Sequence, residues 1–313
     1  MSTNVYFEQY GDPEVLKVGP EDLPDPADGE VRVEFRAIGV NPMDWQLVAG
    51  YLRKVAPLDL PEVPGSEAAG VVTAVGPAFE GFSVGDEVIW NGFTGGYRME
   101  AVVPAEQLTP LPAGVDFEQA ACIPVAGGTA YSALKQLGVG EGDTVLIHGA
   151  AGGVGSAAVQ IAQAFGARVI GTASEANQEY LRALGAEAVT YGPGLADRVK
   201  TAAEEAGAVT AVLDAAGTEE SVAATVELLP DRSRAVITSP GKYSQEAGIA
   251  AVKQQEGRIM DVATLAAEGL LTFTIAHRLP LVEAADALEL SRSGHGHGSA
   301  FVDVAMRMIR ISR

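Results

Sequence analysis

Residues His148-Gly149-Ala150-Ala151-Gly152-Gly153-Val154-Gly155 decide the reading of this chain. An apolar run, Thr144-Val145-Leu146-Ile147, leads straight into them, and a small-residue run, Ser156-Ala157-Ala158-Val159-Gln160-Ile161-Ala162, leads out. A buried strand, a glycine turn and a helix in that order form the turn that holds a dinucleotide. Glycines let the backbone approach a pyrophosphate, and the helix N-terminus offers it unpaired N–H groups and a partial positive charge. Glycine turns alone are common; the strand before and the helix after make this one specific. The residues expected at the pyrophosphate are Ala151, Gly152, Gly153, Val154 and Gly155.

Outward from that turn the chain alternates between two patterns. Short apolar runs at 144–147, 168–171, 188–190, 209–213, 234–238 and 271–275 read as strands, and the stretches 175–184, 194–206, 218–229 and 260–268 between them read as helices. Strands alternating with helices imply an α/β fold with a doubly wound parallel sheet. Before Pro124 the rhythm differs. Val31-Arg32-Val33-Glu34-Phe35-Arg36-Ala37 alternates with period two, and further runs at 70–76, 86–90 and 97–103 are separated by Gly and Pro. This pattern predicts a small β-barrel domain, with a short helix at 42–50 that carries Pro in its first turn. The tail reads as a helix at 281–291, a glycine-rich turn and a strand at 300–305 that returns to the first domain. The expected division is therefore 1–123 completed by 276–313, with 124–275 as the dinucleotide-binding domain.

The chain has 313 residues, 47% of them hydrophobic, which is ample for packed cores and argues against disorder. Its 21 basic and 41 acidic side chains give a net charge of −20, a field that repels nucleic acid and anionic membranes. The one cysteine, Cys122, lies in an apolar run and reads as a buried thiol, with no partner for a disulfide and no cluster for a structural zinc. Met1 to Tyr10 carries no apolar signal core, and no apolar stretch is long enough to span a bilayer. A cytoplasmic enzyme is the expectation.

Several motifs then combine. Gly39-Val40-Asn41-Pro42-Met43-Asp44, Val63-Pro64-Gly65-Ser66-Glu67-Ala68-Ala69-Gly70-Val71-Val72, Gly128-Thr129-Ala130-Tyr131 and the turn at His148–Gly155 follow in order. In that order and spacing the chain resembles the zinc-independent quinone oxidoreductases of the medium-chain dehydrogenase/reductase superfamily, over nearly its whole length. The resemblance implies a GroES-like β-barrel catalytic domain around a Rossmann domain. It also frames the metal question, because zinc alcohol dehydrogenases share that fold. Where they carry Cys and His, this chain has Asn41 and Ser66. An amide and a hydroxyl do not supply the thiolate and imidazole that a catalytic zinc takes. His295 and His297, in a glycine loop, read as a solvated turn. The expectation is no metal.

Hydride transfer to a quinone or enone needs proximity, a dry cleft and a donor for the oxyanion formed. The resemblance puts Asn41 at the floor of the cleft, where its amide holds either the acceptor carbonyl or the nicotinamide ribose; the competing reading is a turn residue before Pro42. It puts Tyr51 in a loop near the substrate, to orient a ring or donate a proton, against an exposed aromatic in a mobile loop. Trp45 and Phe93 read as cleft walls or as core. Glu67 reads as structural, bonded to its own loop. Thr129 falls near the nicotinamide carboxamide or caps a helix, and Ser239 lies in a second loop on the nicotinamide side.

Coenzyme choice turns on the end of the second strand of the parallel sheet. An NAD site usually places Asp or Glu there, whereas this chain has Thr172-Ala173-Ser174; Glu175 follows immediately and reads either as that acid, against NADP, or as the first acid of the next helix. Ser174, Asn177 and Tyr191 form an uncharged pocket for a 2′-phosphate, so NADP is expected. The family's Gly-Lys is Gly298-Ser299 here. The leading expectation is an NADPH-dependent reductase of quinones or related electron-poor carbonyls. The rivals are an enone, alkenal or enoyl-thioester reductase and a non-catalytic NADPH-binding regulator. A homodimer is expected by analogy with sheet-edge pairing in the superfamily.

Overall fold

The computed structural model describes residues 2–77, 80–293 and 304–307, the last four by backbone alone. The chain divides into two compact units. Among the described residues, the first takes in those up to Val125 together with 275–293 and 304–307, and the second runs from Ala126 to Thr274.

The first unit contains β1 (Ser2–Tyr6), β2 (Lys17–Glu21), β3 (Glu30–Val40), α1 (Pro42–Val48), β4 (Glu67–Val75), β5 (Glu87–Asn91), β6 (Glu100–Pro104), β7 (Leu108–Pro110) and α2 (Phe117–Ala120). The strand β3 organises it. One edge pairs with β4 along its length, and the other takes β6 beside its first half. The alternation seen in sequence is a burial pattern here: Val31, Val33 and Phe35 turn inward, and Arg32 and Glu34 turn outward. Two register shifts against β4 bend β3, as bulges do in a curling sheet. Phe35 and Trp90 stack at 5.4 Å in the core, with Phe7 and Tyr97 fully buried beside them.

The second unit is wound on a parallel sheet. Its elements are α3 (Gly128–Gln136), β8 (Thr144–His148), α4 (Gly153–Ala164), β9 (Arg168–Ala173), α5 (Gln178–Ala183), β10 (Glu187–Thr190), α6 (Leu195–Ala206), β11 (Ala211–Asp214), α7 (Glu219–Leu228), β12 (Ala235–Ile237), α8 (Lys242–Glu246), β13 (Ala250–Ala251) and α9 (Arg258–Ala267). The strand order is β10-β9-β8-β11-β12-β13, all parallel. That order reverses between β8 and β11, which is the switch point where such sheets bind ligands.

One expected strand is not there. Residues 271–275 are irregular, and the sixth strand is Ala250–Ala251. Leu271 and Phe273 are buried and alternate with exposed neighbours, so the period-two pattern is real. The partner is a helix: Gln160 on α4 donates to the Thr272 carbonyl and accepts from its N–H, both at 3.0 Å. One carboxamide thus satisfies the backbone that a neighbouring strand would otherwise satisfy.

The chain returns to the first unit through β14 (His277–Pro280), α10 (Ala284–Ser293) and β15 (Val304–Arg307). Ala284, Ala287 and Leu288 of α10 enter its core, and β15 lies between β14 and the second half of β3. Of the expected strand at 300–305, residues 304 and 305 are in β15; 300–303, like His295, His297 and Gly298-Ser299, lie outside the described residues. No helix among the described residues is long and apolar enough to cross a membrane.

Candidate functional site

The dinucleotide turn sits at the switch point of the second unit. Gly149 has φ of +67°, a conformation open to glycine. A Cβ on Gly155 would lie 2.2 Å from the Gly149 carbonyl oxygen, so the helix can seat on the turn only without one. Gly152 is different: a Cβ there meets a single atom, the Gly149 oxygen, at an ordinary 3.4 Å. The protein itself does not require glycine at 152; a ligand touching that backbone would. Gly152 is the N-cap of α4 and brings no capping side chain, and the first turn holds no acid. The helix end therefore keeps N–H groups and its positive pole for an anion.

Around that turn lie the other strand ends. Asp214, at the end of β11, is fully buried and bonded by the N–H groups of Ala216 and Gly217 at 2.9 and 2.8 Å and by the Ser221 hydroxyl at 2.7 Å. It fixes the turn into α7. His148, at the end of β8, is buried with Nδ1 3.1 Å from the Thr172 hydroxyl. Burial pushes its pKa down, against the pull of Asp214 and Glu220.

Of the expected cofactor residues, Ala151 to Gly155 follow β8, Ser174 and Asn177 follow β9, Tyr191 follows β10 and the exposed Ser239 follows β12. All four groups are at C-terminal strand ends of one sheet. Tyr191 is half exposed, and its N–H donates to the Ala173 carbonyl at 3.2 Å. The Asn177 side-chain oxygen is buried with no hydrogen-bond partner. Glu175 is occupied, accepting from the Thr190 hydroxyl at 2.9 Å. Thr129 lies within α3, and Gln254 donates to its hydroxyl at 3.3 Å.

The first unit holds the remaining candidate residues. Asn41 is the N-cap of α1 and is 3% exposed. Its side-chain amide donates to Glu67 Oε1 at 2.7 Å, and its backbone N–H donates to Asp44 Oδ2 at 2.8 Å. Glu67 is fully buried, and its other oxygen accepts from the Val125 N–H at 2.8 Å. These two bonds tie Glu67 to segments distant in sequence. Gly39 makes room for it: a Cβ there would lie 2.1 Å from Glu67 Oε1.

Asp44 and Tyr97 form the floor of this cluster, and neither was singled out by the sequence. Tyr97 donates its hydroxyl to Asp44 Oδ2 at 3.0 Å, and both are fully buried. Burial raises the Asp44 carboxyl to about 7, with the Asn41 N–H and the Tyr97 hydroxyl opposing. Burial, helped by the Asp44 charge, raises Tyr97 well above its usual range. Ser66 is buried with a hydroxyl oxygen that has no partner. Tyr51 is 71% exposed, its ring edge-on to Trp45 at 5.6 Å. Trp45 packs partly into the core, and Phe93 is largely exposed. Among the described residues no three His, Cys, Asp or Glu side chains converge as a metal site.

Comparison with known proteins agrees with this architecture. The family model of the alcohol dehydrogenase GroES-like domain matches residues 27–113, and that of the zinc-binding dehydrogenases matches residues 153–268. Human quinone oxidoreductase is 42% identical over 186 residues, 58% of this chain and 56% of that one. The sequence matches thus span about half the length of the curated relatives. A crystal structure of an NAD-dependent alcohol dehydrogenase is similar with a TM-score of 0.86 at 29% identity, covering 99% of this chain and 100% of that one. The Escherichia coli quinone oxidoreductase complexed with NADPH is similar with a TM-score of 0.81 at 26% identity, covering 97% and 99%. Two family models in chain order, which together match most of the chain, and a fold shared along nearly its whole length show that the protein has the two-domain build of the medium-chain dehydrogenase/reductase superfamily.

Proposed function

We propose that this chain is an NADPH-dependent, zinc-independent oxidoreductase that reduces quinones or related electron-poor carbonyl compounds. The observation that carries the reading is the cradle at Gly152, where the protein leaves room for a side chain that is not there. Ala151, Gly152, Gly153, Val154 and Gly155 would hold the pyrophosphate by backbone N–H groups and the α4 dipole. Ser174, Asn177 and Tyr191 would hold the 2′-phosphate, since the second strand ends in the small neutral residues Ala173 and Ser174 rather than in an acid. Thr129 and Ser239 would border the nicotinamide, which when bound supplies a hydride.

Asn41 would position the acceptor or the nicotinamide ribose, with Glu67 fixing its carboxamide. The Asn41 nitrogen faces Glu67 Oε1, which leaves the amide oxygen facing away from it. Tyr51, exposed and propped against Trp45, is placed in this reading to deliver a proton to the product oxygen, with solvent as the other source. The donor set argues against zinc: residues 27–113 and 153–268 contain neither His nor Cys. A cytoplasmic location and a homodimer complete the proposal; the dimer reading is supported by β10 and β13, which end the parallel sheet among the described residues and which a second copy would pair.

The test is NADPH oxidation by purified protein across a panel of quinones, alkenals and enones, with NADH in parallel. Acceptor-dependent oxidation favouring NADPH and quinones is expected. Tight NADPH binding without turnover of any acceptor would replace the enzyme by the cofactor-binding regulator.

A further inference from the structure

Asn41 is held on both sides by buried acids. Glu67 takes its side-chain amide and Asp44 takes its backbone N–H. Asp44 is the less fully satisfied of the two: Oδ2 accepts twice, while Oδ1 is buried with no hydrogen-bond partner. The titratable groups facing it are Tyr97, from the segment before β6, and Glu67, from the start of β4, which reaches it through Asn41. Both are acids, and no cation among the described residues contributes to the Asp44 environment. A charge here has no counter-ion; its stabilisation comes from two hydrogen bonds.

The geometry points to Asp44 as a positioning residue whose carboxyl, gaining and losing a proton under Asn41, sets the pH dependence of the reaction. This inference rests on the reading of Asn41 given above. Reduction of a carbonyl acceptor puts negative charge on its oxygen. An ionised Asp44 beneath the group that positions the acceptor opposes that charge, and a neutral one does not. The carboxyl lies at about 7, so the switch falls within the working range. Tyr97 tunes it. The phenol donates to the ionised form and so favours it.

Two substitutions test this with opposite signatures. The hydride step in wild-type protein should slow by roughly tenfold or more as pH rises through about 7, the least effect expected of one unit charge acting through protein on the charge that forms. Asp44→Asn should lose that break. Tyr97→Phe should move it to higher pH, because the hydrogen bond that stabilises the carboxylate is gone. The same titration is read without turnover by infrared spectroscopy of the coenzyme-free protein: a protonated-carboxyl band that disappears near pH 7, absent in Asp44→Asn and persisting to higher pH in Tyr97→Phe. If Asp44→Asn does not fold, the Tyr97→Phe shift carries the test. A break that survives Asp44→Asn, or one that stays put or falls in Tyr97→Phe, overturns the proposal. Failure of the reductase reading looks different: no acceptor is turned over at any pH, while the infrared titration still reports on Asp44.

Discussion

Substituting two glycines of the same turn should have opposite consequences. At Gly155 a Cβ would sit 2.2 Å from the Gly149 oxygen and 2.6 Å from the Ala150 Cα. Both are backbone atoms, so Gly155→Ala must displace the helix or the turn, an overpacking cost of about 1–3 kcal/mol or more. At Gly152 the backbone is extended, with φ −79° and ψ 177°, and the only neighbour of a Cβ is at 3.4 Å. Gly152→Val should therefore fold, at a cost of about 1 kcal/mol for a branched apolar residue at a helix N-cap. It should fail to bind coenzyme, because the added carbons fill the space of the pyrophosphate. Losing two hydrogen bonds to a charged group, at about 1.5–3 kcal/mol each, weakens binding by more than roughly a hundredfold. Urea unfolding and coenzyme fluorescence titration measure the two effects separately. A folded Gly152→Val protein with unchanged NADPH affinity, or a Gly155→Ala protein as stable as wild type, would refute the assignment of the turn.

Other consequences follow from the same geometry. The Asp44 carboxyl is raised from 3.8 to about 7 by burial, so between those values the folded chain keeps a proton that the unfolded chain releases, and stability falls as pH rises across the window. Asp44→Asn removes that slope and should be more stable than wild type at pH 8, by on the order of 4 kcal/mol, and no more stable near pH 4; parallel curves for the two proteins would contradict it. Tyr191→Phe should raise the NADPH Kd by roughly tenfold or less, since the side chain is half exposed, and leave NADH nearly unaffected; equal loss for both coenzymes places Tyr191 elsewhere. Prolonged chelation should leave activity unchanged, and stoichiometric zinc lost together with activity would sink the zinc-free account.

The parts of the fold that declare themselves in sequence are those set by local periodicity. The runs around 145, 169 and 212 are strands because their residues are apolar and bounded by turns, and all three are buried strands of the parallel sheet. Periodicity does not name the partner, and this is why residues 271–275 read as a strand although Gln160 of a helix satisfies Thr272. Ala250–Ala251, the true sixth strand, is two exposed alanines with no signal to detect. The glycine turn was legible because its chemistry is contiguous. The Asn41 cluster was only half legible: Asn41 and Glu67 stood out in their motifs. The bonds that define the cluster join residues 26, 53 and 58 positions apart, and only the fold reveals them. Tyr97 looked like an ordinary strand residue, whereas β6 begins at Glu100 and Tyr97 is the hydroxyl donor to Asp44.

The central claim is that hydride passes directly from the coenzyme to an acceptor positioned by Asn41. The most direct measurement is a single turnover with NADPH deuterated on the transferred face, in wild type and in Asn41→Ala. Single turnovers exclude product release, which otherwise masks the chemical step. The account predicts a primary isotope effect on acceptor reduction in wild type, and in Asn41→Ala a single-turnover hydride rate that falls by a larger factor than the apparent acceptor Kd rises. Acceptor reduction at the same rate with either isotope, or an Asn41→Ala enzyme with an unchanged hydride step, would contradict it.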